Sequence, residues 1–368
     1  MKDIFEELLL ALRAEDRVML ATIISTSGST PASAFSKMLV KNGGNTWVGT
    51  VGGGCLEADV LSAAKRLFRE NKAEILSFRL NEDEFVQGLI CGGNLDVLIE
   101  PVSKDELPFL ESIIRLRRNG EDCVVATLLA TTGQILLKQV VESEKDIFKT
   151  TSPVVGDTSL IQGLHKVFHR RITKRIPVHN GELILEPIAG IPSLIIFGGG
   201  HVSKYISKTA AMAGFRVTVV DDRKEYANAT RFPEADQNLA VEFSDAFKTL
   251  QIKDSTFVVI VTRGHQYDEE ILEKAVRTPA QYIGMIGSKR KVLKTYENLM
   301  QQGISSDSLA RVQAPMGIEI GATTAEEIAI SVVAQLIAVR RGRRAPYDDK
   351  AGKTRQLLLT SDQVLSHE

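Results

Sequence analysis

The chain has 368 residues, 43% hydrophobic and 25% charged, with a formal net charge of −1. That is a soluble, globular mix with length for two ordinary domains. The near-neutral charge gives no electrostatic reason to expect nucleic acid or an anionic membrane surface. No apolar run approaches the roughly 20 residues that cross a bilayer. The acidic start, Met1 to Glu7, is unlike a secretory signal, and Cys55, Cys91 and Cys123 form no disulfide framework. A cytoplasmic protein with reduced thiols is the expectation.

In chain order, Ile4 to Arg13 carries Phe5, Leu8, Leu9 and Leu12 on one helical face. Val18 to Thr26 alternates as a strand. Lys37 to Lys41 and Thr46 to Val51 flank Asn42-Gly43-Gly44-Asn45, a hairpin signal. Gly52-Gly53-Gly54-Cys55 then leads into a helical pattern from Leu56 to Glu70. Ala73 to Leu80 reads as a strand, and Gly88 to Asn94 holds Cys91-Gly92-Gly93. Leu95 to Glu100 is a strand that Pro101 should end. A helix from Asp105 to Arg118 follows, then strands Val124 to Ala130 and Ile135 to Val141. Ser143 to Gly156 reads as a loop and Leu160 to Phe168 as a helix. Arg175 to His179 and Glu182 to Pro187 form a hairpin about Asn180-Gly181, and Ala189-Gly190-Ile191-Pro192 is a linker.

Beyond the linker the pattern changes. The apolar run Leu194 to Phe197 meets Gly198-Gly199-Gly200-His201-Val202-Ser203, and a second run, Val217 to Val220, ends in Asp221-Asp222. Strand, tight turn, helix, strand and acid in that order read as the first βαβ unit of a doubly wound, nucleotide-binding sheet. Glycines permit the turn and close backbone approach, and the helix start offers free N–H groups to an anion. Asp221 lies 221 − 198 = 23 positions past Gly198, where a ribose-binding acid is expected. The plain alternative is a glycine turn that holds no ligand. Strands Thr256 to Val261 and Tyr282 to Ile286 alternate with helices Asp268 to Arg277 and Lys291 to Gln302. Val312 to Gly317 reads as a loop. Thr324 to Glu327 is a capping box opening a helix to about Arg340, apolar nearly all round and so expected to be buried on several sides.

Three strand ends carry unusual residues: Gly198 to Ser203, Thr262-Arg263-Gly264-His265, and Gly287-Ser288-Lys289-Arg290. In a parallel sheet they converge on one crevice, joining glycine amides, imidazole and cations, which suits a phosphate-bearing ligand. Taken singly, Lys289 and Arg290 read as helix-surface charges, and His265 is balanced between ligand contact and loop packing. Cys55 and Cys91 each adjoin glycines. A thiol at a helix start is a candidate thiolate for a soft metal, and burial as inert thiols is the rival reading. Zinc is not expected, for want of a Cys-x-x-Cys or a nearby histidine pair. Cys123 leads a strand and belongs to the core. No nucleophile–base spacing or Walker A sequence stands out, and no catalytic residue is assigned.

Together these motifs resemble the XdhC/CoxI-type accessory factors of xanthine dehydrogenase and related molybdenum hydroxylases. In the first domain the likeness rests on 27–31 (Ser27-Gly28-Ser29-Thr30-Pro31), 48–57 (Val48 to Glu57) and Cys91-Gly92-Gly93. In the second it rests on Phe197 to Val202, Val261 to His265, Tyr282 to Lys291 and Pro315 to Ala322. It is weakest from about Asp122 to Arg175. The resemblance implies an N-terminal mixed α/β domain (1–188) followed by a C-terminal Rossmann-like doubly wound parallel-sheet domain (192–342), with 343–368 a polar tail. It implies a factor that binds molybdenum cofactor (molybdopterin), shields it during sulfuration with a cysteine desulfurase as sulfur donor, and delivers it to an apo-hydroxylase.

The cofactor's terminal phosphate and metal suit both domains. Candidate cofactor-binding residues are Gly53, Gly54, Cys55, Cys91, Gly92, Gly198, Gly199, Gly200, His201, Asp221, Arg263, Gly264, His265, Ser288 and Lys289, with Cys55 and Cys91 toward molybdenum. Two alternatives stay open: an NAD(P)-dependent oxidoreductase, whose nucleotide (NAD or another) would occupy the Rossmann site, and a nucleotide-sensing module. A homodimer is the expected assembly.

Overall fold

Helix α1 (Ile4–Ala14) begins where Asp3 accepts a hydrogen bond from the Phe5 N–H at 2.9 Å, and it buries Phe5, Leu8, Ala11 and Leu12. Strand β1 (Arg17–Ser27) follows, then the hairpin β2 (Lys37–Lys41) and β3 (Thr46–Gly49). Helix α2 (Gly54–Glu70) leads to β4 (Glu74–Arg79) and β5 (Asn94–Ser103). The first sheet is antiparallel, in the order β3-β2-β1-β5-β4. Helix α3 (Leu107–Arg118), strands β6 (Cys123–Ala130) and β7 (Ile135–Val141), helix α4 (Asp157–Arg170) and the hairpin β8 (Lys174–Val178) with β9 (Gly181–Ile188) complete this part. The second sheet is also antiparallel, in the order β7-β6-β9-β8. Ion pairs tie the sheets together: Lys37 to Glu186 at 2.5 Å, Lys138 to Glu100 at 2.8 Å and Arg175 to Asp96 at 2.7 Å.

This computed structural model describes residues 3–28, 30, 34–79, 93–143 and 157–342. The chain divides into two compact units, Met1–Gly190 and Ile191–Glu368. In the second, β10 (Ser193–Phe197), α5 (His201–Met212), β11 (Arg216–Asp221), β12 (Gln237–Ala240) and α6 (Phe243–Thr249) come first. Then follow β13 (Thr256–Ile260), α7 (His265–Ala275), β14 (Tyr282–Met285), α8 (Lys289–Gln301), α9 (Ser306–Leu309), β15 (Val312–Gln313) and α10 (Ala325–Arg340).

The six strands are parallel in the order β12-β11-β10-β13-β14-β15. Counted within the unit this is 3-2-1-4-5-6, the order of dinucleotide-binding sheets. Successive side chains of a strand point to opposite faces, so each strand feeds two cores. Ile196, Val219 and Val259 pack under α5 and α10. Ile195, Phe197 and Val258 pack under α6, α7 and α8. The sheet is therefore doubly wound, as expected. Among the described residues no helix is long and apolar enough to cross a membrane.

Several boundaries differ from the sequence reading. Pro101 does not end β5: the strand runs on to Ser103. Beyond Ile99 it pairs with β1 alone, Pro101 facing Met19, since β4 reaches only Glu74 opposite Ile99. A residue lacking an N–H is tolerated where one side of the strand has no partner. Val312-Gln313 is a strand rather than loop, too short at two residues to show a period. Strand β12, Gln-Asn-Leu-Ala, is polar and escapes an apolar-run criterion. Helix α10 buries one broad face that includes Ser331 and Gln335, whereas Ile330 is 56% exposed, so it is not enclosed on every side. The expected polar tail and most of the 143–156 loop lie outside the described residues.

Candidate functional site

Parallel strands leave one crevice at the carboxyl edge, where the strand order reverses, here between β10 and β13. Phe197 pairs with Ile260, so Gly198 and Val261 leave the sheet side by side. Gly198 has φ +102, and its N–H donates to the Val220 carbonyl at 2.7 Å. A Cβ there would lie closer than 3.0 Å to the Val261 carbonyl, and one on Gly199 would strike the Tyr226 carbonyl. These two glycines serve chain-on-chain packing. Gly200 is different, because a Cβ there would meet nothing within 4 Å. It is also the N-cap of α5, with no side-chain cap. Gly264 stands in the same position at α7, again without a side-chain cap. Two helix starts with unsatisfied N–H groups, each opening with a histidine (His201 and His265, both exposed), thus flank the reversal point.

The acids behind this edge face the protein. Asp221 is 1% exposed. Its carboxylate accepts from the Gly199 N–H at 2.8 Å, from the Arg223 N–H at 3.1 Å, and from Arg223 Nε and Nη2 at 2.9 and 3.1 Å. Arg223 in turn lies 3.6 Å over the Tyr226 ring. Where a ribose role is expected of Asp221, both oxygens already hold donors, Oδ2 from Gly199 in the glycine turn and from Arg223, and Oδ1 from Arg223 alone. Its neighbour Asp222 points outward and binds Arg263 through two bonds, Nη1 to Oδ1 at 2.5 Å and Nη2 to Oδ2 at 2.6 Å. Arg263 also donates to the Tyr267 hydroxyl at 2.8 Å and stacks 4.4 Å over its ring. The Arg263 fork holds the Asp222 carboxyl below the ordinary carboxylate range, with partial burial acting the other way.

A second ion pair lies deeper. Asp268, 0% exposed on α7, accepts from the Thr262 hydroxyl at 2.5 Å and pairs with Lys291 on α8. Ser288 caps α8 by accepting from the Lys291 N–H at 3.3 Å, so its hydroxyl serves the helix. Lys289 and Arg290 are exposed at the first turn of α8. The structure therefore brings Gly200, His201, Arg263, Gly264 and His265 to one edge, and gives Ser288 a structural task.

In the first unit Gly52, Gly53 and Gly54 have φ of +130, +82 and +61, and a Cβ on Gly53 or Gly54 would meet nothing within 4 Å. Helix α2 starts at Gly54, two residues earlier than expected, so Cys55 sits exposed in its first turn. The Thr50 hydroxyl bonds to Glu57 and accepts from the Gly52 N–H at 3.1 Å, stapling the turn. Cys123 is buried, as expected, and burial pushes its thiol up to about 12. Cys91 and Gly92 lie outside the described residues. A shallow cleft between β4 and the second sheet is lined by Ile75, Leu129 and Pro177. Its carboxylates Glu74 and Glu182 are already paired with Arg66 and Arg175. Among the described residues no group of three or more His, Cys, Asp or Glu is placed to hold a metal.

Residues 194–336 match the family model of the XdhC Rossmann domain, and residues 11–79 match that of the XdhC and CoxI family. Together these cover more than half of the chain, in both units. The chain belongs to the XdhC and CoxI family. It is 26% identical over 337 residues to a Bacillus subtilis protein named as a probable subunit of xanthine dehydrogenase, covering 90% of this chain and 95% of that one. It is 20% identical over 330 residues to the Escherichia coli molybdenum cofactor insertion chaperone PaoD, covering 90% of this chain and 86% of the other. A 37% identical match over 150 residues to E. coli YqeB, an uncharacterized protein, spans 40% of this chain but only 27% of that relative. A solved Bacillus halodurans structure described as a xanthine dehydrogenase superposes with a TM-score of 0.74 at 28% identity, covering 93% of this chain and 97% of that one.

The XdhC motifs separate into those that build the edge and those that face it. Asp268 and Lys291 form the ion pair beneath it, with the Thr262 hydroxyl donating to Asp268, and Gln335 accepts from the Tyr282 hydroxyl at 2.7 Å and the Gly317 N–H at 2.8 Å, holding the loop after β15. Sequence reasoning missed Asp222, Arg223, Asp268 and Lys291. The doublet Asp221-Asp222 was the available signal for Asp222. Lys291 stands in a cationic run whose members differ only by helix phase, so burial alone singles it out.

Proposed function

We propose that this chain binds molybdenum cofactor, protects it during sulfuration, and delivers it to a xanthine dehydrogenase or a related molybdenum hydroxylase. Family membership across both units supports an accessory role, and the likeness to an insertion chaperone over most of its length supports the cargo. The observation that carries the reading is the edge itself: two uncapped helix starts with open space over Gly200 and Arg263 beside them. That donor set fits the cofactor's terminal phosphate. Gly200, Gly264 and Arg263 would hold that phosphate, and Cys55, with Cys91, is the candidate thiol toward molybdenum. When bound, the cofactor supplies the metal–dithiolene centre that the recipient hydroxylase uses. The chain's own part is to bind, orient and exclude water and oxygen.

Reconstitution tests this. Cofactor-loaded protein is mixed with purified apo-hydroxylase under air, and xanthine oxidation is followed. The expected result is activity that neither component shows alone and that exceeds the activity obtained with free cofactor. Xanthine oxidation by the loaded protein alone would defeat the carrier reading. Equal activation by free cofactor would defeat the protective role. An NAD(P)-dependent oxidoreductase is the weaker reading, because Asp221 is already engaged with Gly199 and Arg223.

A further inference from the structure

We propose that Arg263 is the anion-recognising residue of the second unit, and that Asp222 is an internal competitor which a ligand's phosphate must displace. This deepens the accessory-factor reading, on which it rests for the existence of a phosphate-bearing ligand. In dinucleotide-binding sheets the acid after the second strand takes the ribose hydroxyls. Here that acid, Asp221, is 1% exposed and holds the Gly199 and Arg223 donors, so a sugar diol has no vacant carboxylate to meet. The outward acid, Asp222, is bound at both oxygens by Arg263.

These two residues come from the ends of β11 and β13, and β10 lies between those strands. Their ion pair therefore reaches over the end of β10, where the glycine turn begins. Arg263 is 36% exposed at its side chain and Asp222 13%. Solvent reaches the fork on the Arg263 side, while the two-pronged geometry and the mostly buried Asp222 make this pair stronger than an ordinary surface salt bridge. A doubly charged phosphate offers the same planar fork a stronger partner than a carboxylate does. The neighbouring helix starts add N–H donors that favour an anion and repel nothing. The fork would exchange one two-pronged partner for another, the phosphate's greater charge offsetting the loss of Asp222, with Tyr267 keeping the Arg263 ring stack in place.

The two roles open to Asp222 predict opposite signs. If it competes, Asp222→Asn removes the carboxylate that holds the fork at both prongs, leaving Asp221 Oδ1 at 4.0 Å from Arg263 Nη1, and tightens anion binding. If it is a ribose ligand, the same change weakens nucleotide binding. The experiment is calorimetric titration of the full chain with inorganic pyrophosphate and, separately, with NAD⁺, for the parent, Asp222→Asn, Arg263→Ala and Arg263→Lys. Circular dichroism and melting curves verify folding of each.

The inference expects pyrophosphate to bind Asp222→Asn about fivefold more tightly, the effect of removing one nearby charge in a hydrated setting. It expects loss of binding in Arg263→Ala, with Arg263→Lys in between because a lysine lacks the fork. Unchanged or weaker pyrophosphate binding by folded Asp222→Asn overturns it, as does NAD⁺ binding that Asp222→Asn abolishes. Failure of the reconstitution assay with tightened pyrophosphate binding would remove the proposed cargo and leave Arg263 standing. The reverse outcome would remove Arg263 and leave the cargo.

Discussion

Replacing each of Gly198, Gly199 and Gly200 by alanine separates glycines that serve packing from the one that faces a ligand. At Gly198 the residue has φ +102, and the added methyl would lie closer than 3.0 Å to the Val261 carbonyl and 3.0 Å from Thr262 Cα. The left-handed backbone costs an L-residue about 1–2 kcal/mol, and inserting a methyl against fixed backbone adds about 1–3 kcal/mol. A total near 3 kcal/mol lowers the melting temperature of a unit this size by about 6–12 °C. Gly199→Ala has no left-handed cost but meets the Tyr226 carbonyl, so about 1–3 kcal/mol is expected. Gly200 has φ −69 and ψ −167 with open space above it. There the gain of about 0.4–1 kcal/mol from restricting the unfolded chain is opposed by alanine being a poorer N-cap than glycine, by about 0.5–1 kcal/mol, so stability should stay within about 1 kcal/mol of the parent. Its methyl would instead occupy the room of an approaching anion and weaken pyrophosphate binding. Differential scanning calorimetry and the titration above give both readouts. A Gly200→Ala protein that melts as low as Gly198→Ala, or a Gly198→Ala protein with the parent's melting temperature, would refute this division of labour.

The thiols should react in a fixed order. In a Cys91→Ala background, Ellman's reagent at pH 8 should label the exposed Cys55 at once and Cys123 only on unfolding, because burial pushes the latter's thiol up to about 12. Two rapid equivalents would disprove the buried placement. Lys37→Met should destabilise the first unit by at most about 3–5 kcal/mol by stranding the partly buried Glu186, and Lys37→Met with Glu186→Leu should recover most of it; urea unfolding measures both, and equal losses would contradict the pairing. Asp222 has its folded carboxyl value lowered, so its ion pair contributes above the ordinary carboxylate value of 3.8 and is lost as pH falls through the depressed one. The stability difference between parent and Asp222→Asn should therefore shrink on acidification below pH 3.8, and a difference that grows would reverse the sign argued here. If Cys55 ligates molybdenum, folded Cys55→Ala should retain less metal and pterin than the parent, and equal content would place the thiol outside the site.

Both halves of the architecture were legible in the sequence for a physical reason: buried parallel strands such as Leu194–Phe197 and Val217–Val220 are continuous apolar runs, and the turn after β10 requires glycine where the backbones of Val261 and Tyr226 leave no room for a side chain. The hairpins at 42–45 and 180–181 declared themselves because few residues accept the left-handed backbone found at Asn42 and Asn180. What the sequence could not carry was partner choice. Asp221 and Asp222 are chemically identical neighbours, and only the alternation of successive side chains at the end of β11 turns one to Gly199 and the other to Arg263. Lys289, Arg290 and Lys291 form one cationic run, and only helix phase turns Lys291 onto Asp268 while the other two stay exposed. The persistence of β5 through Pro101 depended likewise on β4 ending opposite Ile99, a matter of sheet register. Local chain geometry and burial leave a pattern in composition, whereas the pairing of like residues with distant partners is settled when the strands and helices meet.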